Sequence, residues 1–411
     1  MSAVFNIDYI KGAEGLKTAQ ASTVSIRDHL NFIAMVFCFW LAIYIYAPVF
    51  RVYLENINFT YSAIGIILGG YGVTQVLFRF PLGILSNYLQ GIRKHLLIIG
   101  FVMALISNLM LVYFDSFVAI LIARLLVGIT ASMWVMATVL YSFYFTARQS
   151  AKAMGVMQFV TVATQFFGMA ISGYLVYFLG WHFPFWIGAV ASAVGIYFAW
   201  KIKDGHNESE DIVHLHMKQH IKEIIKIPNL IALTLLSLVA HAVLFITIFG
   251  FTPIIASSFG VPEKSFIWLV CAFFIPHTLA SISFVFYELP NRFIKTLIVG
   301  GFTVTAICLI GIQWAQSLVI LSLTHAGIGL ALGLVFPLLL SEVVRVSPGN
   351  LKMSAMGFYQ SFYAIGILAG PFLAGIIASS FGLAEVFLYT GLVCLVVAII
   401  AGILLRTAHK I

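Results

Sequence analysis

The sequence predicts an all-α polytopic membrane protein with twelve transmembrane helices, arranged as two six-helix halves related by duplication. Of its 411 residues, 62% are hydrophobic and only 9% are charged, whereas about 25% are charged in a soluble domain. Apolar runs last about twenty residues, the length that crosses a bilayer as a helix, without the alternation of barrel strands. Too little charged surface remains for a soluble enzyme, a nucleic-acid-binding protein or a disordered chain.

The apolar runs place the twelve spans and divide the chain. The predicted spans are 30–50, 61–85, 95–113, 117–141, 153–179, 183–201, 229–250, 265–287, 296–314, 317–343, 353–380 and 385–405. They form an N-terminal half (30–201) and a C-terminal half (229–405), joined by a polar linker (202–228) and flanked by tails 1–29 and 406–411. The first 28 residues are polar and do not resemble a signal peptide, so we expect the first span to stay uncleaved.

The basic residues predict the orientation of the chain. Eighteen of the 22 Lys and Arg fall in the tails, the even-numbered loops and the linker, if Lys201 at the edge of the linker is included. Only Arg51 and Lys264 fall in loops predicted on the other side, and Arg79 and Arg124 lie within spans. Positive charge marks cytoplasmic loops. We therefore expect both termini in the cytoplasm, and the net charge of +8 needs no nucleic-acid partner.

An internal repeat relates the two halves. Shifting the chain by 202 positions superposes residues 153–155 (AMG) on 355–357, and Gly168, Gly173 and Gly180 on glycines of the second half. A shift of 201 aligns upstream segments. Because each half has an even number of spans, the halves share one orientation, which is typical of alternating-access carriers with a site between the halves.

Several motifs resemble the major facilitator superfamily over residues 30–405. Residues 71–75 (YGVTQ) and 81–87 (PLGILSN) resemble the signature of its second span and following loop, nearest to the drug/proton antiporter branch. Residues 124–128 (RLLVG) resemble the fourth-span motif, and 180–186 (GWHFPFW) the start of span six. The resemblance implies a twelve-helix secondary transporter of small molecules that needs no cofactor.

The sequence departs from the family pattern in two places. Asn87 stands where the loop signature has an aspartate, and the basic pair Arg93 and Lys94 comes two residues late. In the family this loop belongs to a conformational gate, and we assign Gly83, Asn87, Arg93 and Lys94 to it by resemblance. Span five has Gly168-Met169 where drug antiporters carry Gly-Pro, which weakens the antiporter interpretation.

Ionisable groups inside the membrane are costly and are therefore candidates for function. Asp115 and Gln316 mark the outer ends of spans four and ten. Arg124 and His325 each lie nine residues further in, about 13 Å, and the 201 shift makes them equivalent. Arg124 is read as a fixed cation at the central site and His325 as a titratable partner in the other half. Backbone hydrogen bonding of Arg124 and simple packing of His325 are the structural alternatives.

Histidine is the preferred proton carrier because none of the fourteen acids lies near the middle of a span. His241 and His277 lie at similar depth, and histidine exchanges protons near neutral pH. Without an acid beside it, Arg124 is better suited to an anionic or zwitterionic solute than to a cationic drug.

Amphipathic residues are expected to complete a cavity, with helix packing as the alternative for each. These candidates are Trp40, Tyr44, Tyr71, Gln75, Gln158, Gln165, Gln360 and Tyr363. At the cytoplasmic ends, Glu342 and Arg345 form either a state-dependent lock with Lys352 or Arg148, or a solvated pair. We find no pattern of paired carboxylates or metal ligands, which disfavours an enzyme or a metal site.

Two functions stay open. The first is a proton-coupled carrier that moves a small organic solute, with export preferred. The second is a proton-coupled symporter that imports a small anionic or zwitterionic metabolite. In both cases we expect a monomer in a bacterial plasma membrane, with the lipid bilayer, protons and a small-molecule substrate as its partners.

Overall fold

A computed structural model describes residues 24–84, 89–142, 144, 150–203, 222–286, 290–348 and 351–405. Within these ranges the chain forms twelve helical spans that are long and apolar enough to cross a membrane, which confirms the predicted fold class. Three spans contain two helices each. The helices are α1 Ile26–Tyr44 and α2 Ala47–Asn56 in span 1, α3 Tyr61–Ile84 in span 2, α4 Arg93–Tyr113 in span 3, α5 Phe117–Ser132 and α6 Trp134–Ser142 in span 4, α7 Ser150–Leu179 in span 5, α8 Phe183–Lys201 in span 6, α9 Leu230–Ile246 and α10 Thr252–Ser258 in span 7, α11 Phe266–Phe286 in span 8, α12 Asn291–Gly311 in span 9, α13 Leu318–Val346 in span 10, α14 Lys352–Ser380 in span 11, and α15 Leu383–Leu404 in span 12.

Spans 1 and 7 are longer than predicted. Span 1 continues to Asn56 and span 7 to Ser258, beyond the predicted ends at 50 and 250. In both spans a short second helix begins with a proline near its first position, Pro48 or Pro253. Proline is well tolerated there because the first turn of a helix needs no N–H donor, so the apolar chain resumes as a helix after the break.

The breaks in spans 1 and 7 occupy corresponding positions in the repeat. Span 1 bends at Ile45–Tyr46, and span 7 bends in a π-helical turn over Thr247–Phe251 with non-helical dihedral angles at Gly250. The shift of 201 that aligns the upstream segments superposes Ile45–Tyr46 on Ile246–Thr247, where the π-helical turn begins. A Cβ atom on Gly250 would lie 2.3 Å from the carbonyl oxygen of Phe245, so this turn requires glycine for steric reasons.

The two halves meet closely on one side of the bundle. We call the side where Ile26 begins span 1 and Leu404 ends span 12 the terminal side, and the other the far side. On the far side the Ser62 and Ser379 hydroxyl oxygens of spans 2 and 11 are 2.8 Å apart. The Lys264 ammonium lies 4.3 Å from the Tyr177 ring centroid, joining spans 8 and 5. These contacts close the far side.

Glycines permit this close approach. A Cβ atom on Gly65 of span 2 would lie 2.6 Å from the carbonyl oxygen of Pro371 and 3.0 Å from the Gly375 Cα in span 11. A Cβ atom on Gly173 of span 5 would lie 2.2 Å from the Glu263 carbonyl oxygen. Small residues in spans 2, 5 and 11 therefore serve close helix packing between the halves.

Candidate functional site

Arg124 lies at the interface of spans 1, 2 and 4. Its side chain is buried, with 6% exposed, and its guanidinium carbon lies 4.8 Å from the Tyr71 ring centroid and 5.4 Å from that of Phe50. Its Nη1 donates a 3.5 Å hydrogen bond to the Tyr46 hydroxyl. Aromatic faces stabilise a desolvated cation, so Arg124 is held by π-systems rather than by a carboxylate.

Gly128, one turn after Arg124, explains the spacing of the fourth-span motif. A Cβ atom there would lie 2.1 Å from the Thr74 Oγ1 and 2.5 Å from the carbonyl oxygen of Tyr71. Only a residue without a side chain lets span 4 approach span 2 this closely. The glycine therefore brings the Tyr71 ring within reach of Arg124.

Arg51 is a second buried cation at this site, and its predicted place in an outer loop is wrong. It lies within α2, with 3% of its surface exposed, and donates a hydrogen bond to the carbonyl oxygen of Ala47 one turn earlier. The predicted span ends at residue 50, just before this cation, but α2 continues the helix and buries the side chain. This basic residue therefore lies inside a span and not in a loop.

Arg51 and Arg124 line one small cavity of about 20 Å³ together with aromatic side chains. Such a volume holds about one water molecule. The cavity is bounded from the first half by Tyr44, Tyr46, Phe50 and Tyr71, and from span 7 by Phe245 and Phe249. The Tyr44 and Phe249 rings, 5.0 Å apart, join the two halves here.

A second polar cluster joins the halves nearer the terminal side. Arg79 of span 2 is buried and donates hydrogen bonds to the Tyr363 hydroxyl of span 11 and to the carbonyl oxygen of Ala131. The Tyr363 ring stacks on His241 of span 7, with centroids 3.9 Å apart and planes 3° from parallel. The His241 Nδ1 lies 2.8 Å from the Ser237 carbonyl oxygen and donates to it.

The sequence predicts His241 and Tyr363 as separate candidates and does not single out Arg79. Its signal is the position of the charge, because Arg79 and Arg124 are the two basic residues well inside the predicted spans. The sequence could not show that Arg79 crosses to the other half, since its Tyr363 partner is 284 positions away.

The other two candidate histidines have different surroundings. His277 stacks on Phe273 and lies 6.0 Å, between centroids, from Phe336, which also contacts His241. His325 is fully buried, with its Nδ1 2.9 Å from the Leu321 carbonyl oxygen and its Nε2 3.2 Å from the Thr252 Oγ1. His325 therefore lies against span 7, and the structure does not place it in the cavity that Arg124 lines.

The candidate amides lie near both clusters. Gln75 is fully buried and its Nε2 donates a 3.0 Å hydrogen bond to the Tyr71 carbonyl oxygen. The side-chain oxygens of Gln75 and Gln360 are buried without a hydrogen-bond partner among the described residues. Gln158 lies on α7, but its side chain is outside the described part.

The predicted gate is described only in part. Gly83 lies near the end of α3, and Arg93, which is buried, and Lys94 begin α4. Asn87 lies outside the described residues.

Glu342 lies at the terminal-side end of span 10 and forms a bidentate pair, at 2.7 and 2.5 Å, with Arg345, which lies beyond the end of the span. This hydrogen bonding raises the pKa of the Arg345 guanidinium. The other predicted partner groups, the Lys352 side chain and Arg148, lie outside the described part.

The described interior of the bundle carries an excess of positive charge. The buried acids within the described ranges are Asp28 and Glu342, both near the terminal side and both paired, Asp28 with Lys203 at 2.7 Å and Glu342 with Arg345. Arg51, Arg79 and Arg124 are also buried, and each has an Nε atom without a described partner. The arrangement can bind an anion between the halves and place a titratable ring beside an arginine.

Comparison with known proteins agrees with this architecture. The family model described as Major Facilitator Superfamily matches residues 32–286 and 233–410. The chain therefore belongs to the Major Facilitator Superfamily: it is a multi-pass membrane transporter of small molecules.

Among individual proteins, the chain is similar to the inner membrane transport protein YajR of Escherichia coli (strain K12). The two are 25% identical over 334 residues, covering 80% of this chain and 72% of YajR. Among solved structures, a variant of the nucleoside transporter NupG has a TM-score of 0.75 at 16% identity, covering 92% of this chain and all of that one. A D-xylose-proton symporter has a TM-score of 0.74 at 12% identity, covering 93% and 98%.

Proposed function

We propose that this protein is a proton-coupled secondary transporter that exports a small organic solute by alternating access. The observation that carries the proposal is the stack of Arg79, Tyr363 and His241, because it places a titratable imidazole in a contact between the two halves. Coupling requires that the bound proton changes the relative free energy of the open and closed states. A ring in this position meets that requirement.

The physical step is electrostatic. A neutral His241 donates from Nδ1 to the Ser237 carbonyl and presents its face to Tyr363, whose hydroxyl accepts from Arg79. A protonated His241 places a second positive charge near the Arg79 guanidinium, with the Tyr363 ring between them. The distance between the two charged groups is at most the sum of the His241–Tyr363 and Arg79–Tyr363 distances, 3.9 and 5.0 Å. At an effective dielectric constant of about 20, this repulsion is about 2 kcal/mol, enough to weaken the contact between the halves about thirtyfold.

Export is preferred because the first half resembles the drug/proton antiporter branch. The second candidate, a symporter that imports a small anionic or zwitterionic metabolite, is favoured by the buried arginines without acidic partners. Proton symport is named for one protein of the same fold, the D-xylose-proton symporter. We further propose a monomer in a bacterial plasma membrane with both termini in the cytoplasm. The distribution of Lys and Arg supports the orientation, and the inner-membrane location in the name of YajR supports the membrane.

The test is proton movement in liposomes that contain the purified protein and a pH-sensitive dye. The solutes added outside are phenyl phosphate, uridine, xylose and ethidium, with protein-free liposomes as the control. Exchange of solute for protons makes the lumen alkaline as the solute enters, whereas symport makes it acidic. We expect alkalinisation with at least one solute, and no pH change with any of them would contradict proton coupling.

A matched pair of variants tests the role of His241. We expect His241→Gln to abolish solute-dependent proton movement while solute-for-solute exchange continues. His182→Gln, which changes an exposed histidine on the far side, is expected to behave like the unaltered protein. Normal proton movement in His241→Gln would assign the coupling to another group.

A further inference from the structure

Two arginines in the same cavity have unused hydrogen-bonding capacity. Arg51 and Arg124 are 97% and 94% buried, and both line the cavity of about 20 Å³. The Nε atom of each is buried without a described partner. A buried donor without an acceptor is costly, and a buried charge without a counter-charge is more so.

The surroundings do not compensate these charges. The cavity lining consists of Ile43, Tyr44, Tyr46, Ala47, Phe50, Leu68, Tyr71, Phe245 and Phe249 besides the two arginines, with no acid among these described residues. Arg124 rests on two aromatic faces, and Arg51 donates to one backbone carbonyl. Both guanidinium groups therefore keep N–H donors that an oxyanion would satisfy in the bidentate manner typical of arginine.

We infer that Arg51 and Arg124 form the anion-binding centre of the solute site, and that the solute is an organic anion with a planar apolar body. The inference rests on the proposed transport function and names its substrate class. The carboxylate or phosphate group binds between the two guanidinium groups. The planar part packs against the aromatic lining that span 7 contributes, Phe245 and Phe249.

The break in span 7 controls entry to this site. Phe245 and Phe249 bound the cavity from the second half, and Phe249 lies within the π-helical turn at Thr247–Phe251. A water-sized cavity cannot hold a benzene ring, so the solute binds only when this turn moves the two phenylalanines away. Their rings, 5.2 Å apart, then close over the apolar body of the solute.

The test measures thermal unfolding of the purified protein in detergent with four ligands that share a benzene ring. Benzoate and phenyl phosphate are anions, benzamide is neutral and benzylamine is a cation. At millimolar ligand we expect the unfolding temperature to rise with both anions, more with phenyl phosphate because it carries more negative charge, and to stay unchanged with the other two. Equal stabilisation by benzamide or benzylamine would overturn the inference. The absence of stabilisation by both benzoate and phenyl phosphate would also overturn it.

Variants then locate the binding site. Arg51→Gln and Arg124→Gln are each expected to weaken phenyl phosphate binding at least tenfold, whereas Arg292→Gln, at an exposed position, is the matched control and is expected to leave it unchanged. Arg51→Lys and Arg124→Lys keep the charge and serve if a glutamine variant does not fold, with an intermediate loss expected. Unchanged affinity in the variants at both positions would refute the site.

This measurement needs neither a membrane nor a pH gradient. Anion binding without proton movement in liposomes would contradict the proposed coupling and leave this inference standing. Proton movement with xylose or ethidium, without anion binding, would support the proposed coupling and contradict the anion-binding site.

Discussion

Gly65 offers a direct test of how the far side closes, because one added methyl group there meets backbone atoms of the other half. In Gly65→Ala the new Cβ would lie 2.6 Å from the Pro371 carbonyl oxygen and 3.0 Å from the Gly375 Cα. A change of rotamer cannot relieve a contact with backbone, so spans 2 and 11 must move apart. Such overpacking costs about 1–3 kcal/mol. States that are open on the far side avoid this contact, so the same free energy raises their population relative to the closed state about 5- to 150-fold.

The assay uses a cysteine introduced at Leu68, which lines the same small cavity as Arg51 and Arg124 and is buried, with 2% exposed. After the four native cysteines are replaced by serine, a membrane-impermeant maleimide is added from the far side, and the rate of modification is measured. We expect a faster reaction in the Gly65→Ala background. The matched control is Gly300→Ala, because a Cβ atom there has no heavy atom within 4 Å. An unchanged rate in Gly65→Ala, or an equal rise in Gly300→Ala, would refute the proposed role of the spans 2 and 11 contact in closure.

Two further predictions concern the same interfaces. Replacing both Ser62 and Ser379 with cysteine, where the hydroxyl oxygens are 2.8 Å apart, should permit a disulfide of about 2.05 Å that stops transport until a reductant is added; transport by fully cross-linked protein would contradict the need for the far side to open. Gly128→Ala should lower the free energy of unfolding by about 1–3 kcal/mol, since its Cβ would lie 2.5 Å from the Tyr71 carbonyl oxygen; a loss in thermal stability no larger than that of Gly300→Ala would contradict the close contact of spans 2 and 4.

The number and order of the spans follow from the sequence because each depends on a local property, the length of an apolar run. The ends of spans 1 and 7 were predicted less well. The apolar segment after Pro48 contains Arg51, and the sequence pattern cannot distinguish a cation in a loop from one buried in a helix. The structure buries it because α2 packs between span 5 and span 7 and the guanidinium donates to the Ala47 carbonyl.

The sequence predicts most residues of the site but not the contacts between them. Arg124 stood out as a basic residue within a span, and Tyr71 as part of a motif, yet their contact depends on how closely span 4 approaches span 2 at Gly128. His241 and Tyr363 were each candidates, but their stacking and the hydrogen bond from Arg79 depend on how the two halves meet. His325 had the same depth as Arg124 in the repeat, and the structure places it against Thr252 instead.

The sequence by itself determined the membrane class, the twelve spans, the duplication and the excess of basic over acidic groups inside the bundle. These properties depend on composition, run length and internal similarity, which are all readable along one chain. Only the tertiary structure decided which cations share a cavity and which ring meets which guanidinium. Those contacts join residues 78 positions apart, as for Arg124 and Tyr46, or 284 apart, as for Arg79 and Tyr363. At such separations the packing of helices, and not the local pattern, sets the distance.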